Sequence, residues 1–187
     1  MRKQTFLTIT ICLMTVIYTS AQKSSFQQDD NVVSLAIGIG STYYSDYDSF
    51  DGLWGNRYGY SRMPTFSLAY ERCIIENLFD DRSALGIGGV SGYTSTKWNW
   101  GRSTDILVGL RGALHYVLVD NLDTYGGVMT GIHIWKYDGK EVGHNSNSEA
   151  AYGVFVGGRY YLADNFGVFA EFGYGYTIFN IGIAFKF

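Results

Sequence analysis

The sequence predicts an all-β protein, an eight-stranded antiparallel up-and-down transmembrane β-barrel. In its closing stretch, every second residue from Phe179 onward is bulky and apolar, while the residues between are small or polar. This period-2 alternation indicates a strand with one apolar face. The 24 glycines, 16 tyrosines and 12 phenylalanines, with one proline, suit a barrel wall with small inward and large outward residues. No segment after residue 21 is apolar for long enough to form a membrane helix, so a chain that spans the membrane must close its sheet.

The N-terminus has the parts of a secretory signal peptide. Arg2 and Lys3 form its positive region, residues 6–18 are mostly apolar, and Thr19-Ser20-Ala21 offers small residues for cleavage. The apolar run is shorter than the roughly 20 residues that span a bilayer, which disfavours a membrane anchor. We therefore expect a cleaved signal peptide over residues 1–21, a short mobile polar leader over residues 22–31 and a barrel over residues 32–187.

Charge and cysteine content limit the partners of the chain. The net charge of −3 becomes −5 once Arg2 and Lys3 leave with the signal peptide. A mildly acidic chain does not suit nucleic acid, so we expect no nucleic-acid partner. Only Cys73 remains after cleavage, which leaves no intrachain disulfide. The Gly-Ile-Gly triplets at 38–40 and 86–88 precede no predicted helix, so they are not phosphate loops and we expect no cofactor.

Eight segments alternate in this way, and each is predicted as one strand. The first covers residues 33–40, with Val33, Leu35 and Ile37 on one face. The second begins at Met63 or Pro64, and the start of a strand tolerates the hydrogen-bond donor that Pro64 lacks. The other six lie near residues 84–94, 106–118, 128–134, 152–162, 167–174 and 179–187. In the third strand, Gly88-Gly89 marks a candidate β-bulge that could shift the register.

The predicted connections alternate between the two ends of the barrel. Polar loops are expected over residues 42–61, 96–102 and 137–148, and the first and last of these are long. Asp120-Asn121 and Asp164-Asn165 mark tight turns at the other end. The connection at 72–83 is longer than a tight turn and is an exception. Long loops at one end and short turns at the other are typical of outer-membrane barrels.

Over RYYLADNFGVFAEFGYG and the closing FNIGIAFKF, the chain resembles the small bacterial outer-membrane β-barrel family of OmpX-type and OmpA-type domains. Tyr and Trp residues near the strand ends suit the aromatic belts of such barrels. The resemblance implies export to the outer membrane of a Gram-negative bacterium, with outer-membrane lipid as a partner. It also implies that the barrel-assembly machinery reads the alternating C-terminal residues, which are Phe179, Ile181, Ile183, Phe185 and Phe187.

Four charged residues fall on the predicted inward faces: Glu71, Arg111, Arg159 and Glu171. The lumen of an eight-stranded barrel is just filled by side chains, so inward charges must be paired or hydrated. Arg159 and Glu171 are the best predicted pair. They share a face only if the turn between them has an odd number of residues, such as 164–166. A stabilising lumen network is the main interpretation, and a proton or ion path is the alternative.

The remaining polar clusters are weak candidates for catalysis or metal binding. His144, Ser146 and Glu149 suggest a Ser-His-Glu triad of a lipid A-modifying barrel, but they crowd one predicted loop rather than a rigid wall. His115 and His133 face inward without further ligands at a fixed spacing, so no metal is expected. We therefore expect a protein that is not an enzyme.

The first loop is the candidate surface-binding loop, because aromatic, glycine and aspartate residues suit adaptable binding. Its candidate contact residues are Tyr43, Tyr44, Tyr47, Trp54 and Tyr58. These rings could instead pack on one another and on the membrane interface. The predicted function is a non-enzymatic outer-membrane barrel with a packed polar lumen, whose loops bind an unidentified extracellular ligand or serve adhesion. The alternatives are a lipid A-modifying enzyme, a narrow porin and a soluble lipocalin-like barrel.

Overall fold

The structure is a computed structural model that describes residues 26–40, 61–139 and 143–187. These ranges contain the strands β1 (Asn31–Ile39), β2 (Ser61–Arg62), β3 (Thr65–Glu76), β4 (Ser83–Trp98), β5 (Gly101–Val119), β6 (Leu122–Gly139), β7 (Gly143–Ala163), β8 (Phe166–Tyr174) and β9 (Phe179–Lys186). No helix within them is long and apolar enough to cross a membrane. The candidate surface-binding residues Tyr43, Tyr44, Tyr47, Trp54 and Tyr58 lie outside the described residues, as does the predicted signal peptide.

Eight of the strands close into an antiparallel barrel, which confirms the predicted fold class. The two-residue β2 is additional and pairs with β4. The ring closes where β1 pairs with β9, from Val32↔Lys186 to Ile39↔Phe179. Backbone hydrogen bonds of 2.9 Å in both directions between Asn31 and Phe187 extend this seam. The closing strand therefore reaches the very start of the barrel.

Alternation along each strand separates an apolar outside from a polar lumen. On β1, Leu35 and Ile37 are 47% and 48% exposed, whereas Ser34 and Ala36 are 7% and 8% exposed. The same pattern continues around the ring. Exposed apolar residues of the other strands include Leu68, Ile87, Leu110, Val128, Val154, Phe172 and Ile181. An apolar surface over the whole circumference is expected for a wall that faces lipid.

We call the end with the chain termini and the short turns the inner end, and the opposite end the outer end. At the inner end, β7 and β8 are joined by two residues, Asp164 and Asn165, rather than by the predicted odd number. A register shift between Tyr161 and Ala163 adds Leu162 as an extra residue, whose side chain is exposed. The extra residue of this bulge lets Arg159 of β7 and Glu171 of β8 share the inward face, which a two-residue turn alone would not allow.

The predicted bulge at Gly88-Gly89 is wrong. Pairing of β4 with both neighbours continues without interruption through these glycines. The register shift lies on the partner strand, between Cys73 and Ile75 of β3. Gly88 instead lies where the backbones of β3 and β4 approach closely, since a Cβ at this position would collide with the backbone oxygen of Tyr70.

Two of the predicted outer loops are largely strand. β4 and β5 pair up to Trp98↔Gly101, and β6 and β7 pair up to Gly139↔Gly143. The described residues of the predicted loops over 96–102 and 137–148 thus belong to two long hairpins. Their polar residues belong to the ends of the strands beyond the apolar band, and polarity on both faces of a strand removes the alternation that reveals it.

The segment before β1 is packed rather than mobile, which corrects the expectation for the part of the leader that the structure describes. Phe26 is fully buried, with its ring centroid 4.4 Å from that of His115. Backbone hydrogen bonds join Asp29 N to Cys73 O at 3.3 Å and Cys73 N to Asp30 O at 3.0 Å. The composition of residues 22–31 did not predict this packing, because the segment is mostly polar and is held by a single aromatic side chain, Phe26.

Candidate functional site

Six charged or ionisable side chains meet inside the barrel and form what we call the lumen ion network. Its members are Glu71 on β3, Arg111 and His115 on β5, Asp123 on β6, Arg159 on β7 and Glu171 on β8, and each is less than a tenth exposed. All four sequence-predicted lumen charges therefore lie inside. Each stands on the inward face because its strand turns the alternate residues toward the outside.

Arg111 joins the two glutamates in the half of the network toward the outer end. Its Nη2 donates to Glu171 Oε2 at 3.0 Å, and its Nε lies 3.5 Å from Glu71 Oε2. The guanidinium carbon also lies 4.0 Å from the ring centroid of Phe155, a distance at which a cation is attracted to an aromatic face. Charges that are buried in this way are stable only when all of them are paired.

His115 joins two carboxylates in the half toward the inner end. Its Nδ1 lies 2.9 Å from Asp123 Oδ1, and its Nε2 contacts Glu71 Oε1. The other oxygen of Asp123 accepts from Arg159 Nη1 at 3.4 Å. The ring of His115 thus lies between two carboxylates, one beside each ring nitrogen. The network as a whole places Arg111, His115 and Arg159 among three buried carboxylates.

The predicted Arg159–Glu171 contact is wrong, although both side chains point inward. Arg159 pairs with Asp123, its direct cross-strand neighbour in the β6–β7 ladder, and Glu171 pairs with Arg111. In the β7–β8 ladder Arg159 faces Phe169, two residues away from Glu171. Directly opposed side chains lie closer than diagonal ones, so Asp123 is the nearer partner.

A second group of polar side chains lies nearer the outer end. His133 of β6 stands between Asp105 of β5 and Glu149 of β7, with Nε2–Oδ1 and Nδ1–Oε1 distances of 3.3 Å and 3.1 Å. Asp105 and His133 are buried, whereas Glu149 is exposed. Among the described residues, no set of three or more His, Cys, Asp or Glu side chains has a geometry that could hold a metal ion.

The residues of the candidate catalytic triad do not share a face. In the β6–β7 ladder, Ser146 lies opposite the exposed Lys136, whereas Glu149 lies opposite the buried His133. Ser146 therefore points outward and Glu149 inward. A nucleophile and its orienting acid must reach one base from the same side, so this pair cannot serve a Ser-His-Glu triad.

Asp123, Asp105 and Phe26 are site residues that the sequence interpretation missed. The two aspartates could have been found by extending the alternation of β5 and β6 to their ends, since Asp105 and Asp123 have the parity of the inward residues Arg111 and Met129. Phe26 had no such signal, because it precedes the first strand and its packing depends on a chain reversal.

Together, the apolar circumference and the lumen filled by buried ion pairs define a membrane-spanning β-barrel. The fold is that of the small outer-membrane β-barrels. One solved structure of this fold is Ail, the attachment invasion locus protein of Yersinia pestis, in complex with the heparin analogue sucrose octasulfate. It aligns with a TM-score of 0.54 and 12% identity over 86% of this chain and 100% of that chain.

Two further solved structures align with the chain. Ail of Yersinia pestis without that ligand aligns with a TM-score of 0.50 and 13% identity, again over 86% of this chain and 100% of that chain. The outer membrane protein OprG from Pseudomonas aeruginosa aligns with a TM-score of 0.46 and 8% identity, over 88% of this chain and 99% of that chain. No protein-family model matches the chain, and no curated protein matches it in sequence.

Proposed function

We propose that this protein is an integral outer-membrane protein without a catalytic role, whose barrel holds two long hairpins beyond the membrane as a binding surface. The observation that carries this proposal is the apolar outer face around the whole ring, which surrounds a lumen filled by the lumen ion network. Side chains that fill an eight-stranded lumen leave little room for a solute path, which disfavours the narrow porin. The opposite orientations of Ser146 and Glu149 disfavour the lipid A-modifying enzyme.

The location is tested by cell fractionation and by migration on a detergent gel with and without heating. We expect the protein in the outer-membrane fraction, with the faster migration of a folded barrel before heating. We also propose that the assembly machinery reads the outward residues of β9 and the exposed Phe187. A Phe187→Ala variant should then accumulate less folded barrel, whereas Phe79→Ala, which alters an exposed turn residue, should not. Recovery of the unaltered protein as a soluble periplasmic species would sink the proposal.

Among the described residues, the outer hairpins carry three exposed cations on their outward face, which we call the outer cation cluster: Lys97 on β4, Arg102 on β5 and Lys136 on β6. Lys97 lies directly opposite Arg102, and Lys136 lies opposite Thr104, two residues further along β5. None of the three forms an ion pair with a carboxylate of a described residue, although Asp138 follows in the same ladder. An anionic extracellular ligand suits this surface, and Ail, which shares the fold, was solved with a heparin analogue.

We therefore propose a sulfated polysaccharide as the ligand of the outer cation cluster, with the tyrosines of the 42–61 loop as further proposed contacts. A Lys97→Gln/Arg102→Gln variant should bind heparin about thirtyfold more weakly, because each cation beside an anionic surface contributes about 1 kcal/mol. Adding Lys136→Gln should weaken binding further. Retention on immobilised heparin over a salt gradient measures this. The matched control is Arg72→Gln/Arg82→Gln at the inner end, and equal loss in both variants would contradict the assignment.

A further inference from the structure

An aromatic side chain closes the lumen near its outer end. The connection between β8 and β9 sends Tyr176 across the barrel, where it packs on Leu107 of β5 and Ala151 of β7 and is buried. The ring also lies against Gly92 of β4, where any Cβ would overlap it. The preceding Gly175 has a φ of +126°, which glycine adopts far more readily than other residues. The local backbone is therefore built to turn this ring inward.

A small cavity lies between Tyr176 and the lumen ion network. Its volume is about 50 Å³, and its largely apolar lining also includes the polar side chains of Ser34, Arg111, Glu171 and Asn180. This volume holds roughly three to five water molecules. Within the described part of the chain, the buried Oδ1 atom of Asn180 in this lining has no hydrogen-bond partner. Water beside the polar part of this lining would satisfy that atom, because buried polar atoms are paired with protein or with ordered water.

The inner end of the lumen is closed by Phe26. Its ring is fully buried against His115 and belongs to one apolar cluster with Val32, Cys73 and Ala84. The short segment that follows is tied to the rim, with Arg72 Nη2 donating to Asp29 Oδ1 at 2.7 Å. The thiol of Cys73 lies 3.9 Å from the backbone oxygen of Phe26. Cys73 therefore reports directly on whether this ring is in place.

We propose that the lumen is an occluded, water-holding compartment with an aromatic gate at each end, Tyr176 at the outer end and Phe26 at the inner end. The gates belong to a connection and to a leader segment, not to barrel strands, so each can move without breaking the ring. The lumen ion network stands between them. Opening one gate therefore admits a small solute from that end only. In this respect the gated lumen differs from an open pore. This role of the lumen goes beyond the proposed binding role of the outer surface.

The outer gate is tested with a cysteine in the cavity. In a Cys73→Ala background, Ser34→Cys should react slowly with a small, positively charged thiol reagent, because Tyr176 covers the cavity. Adding Tyr176→Ala should raise the reaction rate at least about tenfold, since thiol modification follows access. Tyr176→Phe should keep it slow. The matched control is Phe172→Ala, which alters an exposed aromatic residue of β8 that does not line the cavity. Reaction at one rate in all of these folded variants would overturn the outer gate.

The inner gate is tested on the native thiol of the folded protein without residues 1–21. Cys73 should be nearly inert in the unaltered barrel and about tenfold more reactive after Phe26→Ala. Phe79→Ala, which removes an exposed ring from the nearby β3–β4 turn, is the control and should leave Cys73 inert. Heat-dependent migration establishes that each variant still forms the barrel. A Cys73 that reacts readily in the unaltered barrel, or stays inert after Phe26→Ala, would refute the inner gate.

Discussion

Replacing Arg111 with methionine is expected to lower the free energy of unfolding by about 3–5 kcal/mol, the cost of removing one partner from a buried ion pair. The change leaves Glu71 and Glu171 buried without their shared cation. Methionine keeps an unbranched apolar side chain against Phe155, so little packing is lost. The loss therefore reports mainly on uncompensated charge.

Chemical unfolding in detergent micelles, followed by the heat-dependent gel shift, measures this effect. The exposed Arg102→Met serves as control and should change the free energy of unfolding by no more than about 0.5 kcal/mol. A compensated variant, Arg111→Met/Glu71→Gln/Glu171→Gln, should recover much of the loss, because amides are cheaper to bury than unpaired carboxylates. If Arg111→Met alone proved neutral, the lumen ion network would not be the stabilising element that its geometry indicates.

Replacing Val128 with arginine is expected to destabilise the membrane-inserted barrel by about 2–4 kcal/mol, the cost of a cation on the lipid face near the bilayer midplane. Val128 is 62% exposed on the outward face of β6, and its direct neighbour in the ladder is Val154 of β7, which is 56% exposed. In water the same change would put a charge on an exposed surface and would cost almost nothing. The effect therefore measures contact with lipid.

Reversible folding into short-chain lipid vesicles, followed by tryptophan fluorescence, gives the free energy for each variant. The matched control is Ser146→Arg, which places the same side chain on the outward face of β7 beyond the apolar band. It should cost less than about 1 kcal/mol, as expected near or above the interface. Equal costs at the two positions would argue against a lipid-facing wall and would favour the soluble lipocalin-like barrel.

Local alternation was sufficient to assign side-chain direction. Arg111 and Val108 could be placed on opposite faces of β5 from parity alone, because successive residues of a strand point to opposite sides. The same rule could have revealed Asp105 and Asp123, had β5 and β6 been followed to their ends. Alternation gives no signal where both faces of a strand carry polar residues, and for this reason the hairpin tips were predicted as loops.

Side-chain partners were not predictable in this way. Whether Arg159 meets Asp123 or Glu171 depends on the register of β7 against both neighbours. That register in turn depends on a bulge at Leu162, which no residue type at that position announces. Phe26 and Tyr176 enter the lumen from outside the strands, and their positions depend on the closed ring that receives them.

The sequence by itself determined the closed β-barrel, its apolar outside and the inward direction of its charges, because period-2 alternation is a property of each strand alone. Only the tertiary structure decided which charges pair, how far the hairpins extend and what closes the two ends of the lumen. These features arise from contacts between residues far apart in the chain, such as Phe26 with His115 and Arg111 with Glu171. Such contacts exist only once the strand registers and the bulges are set.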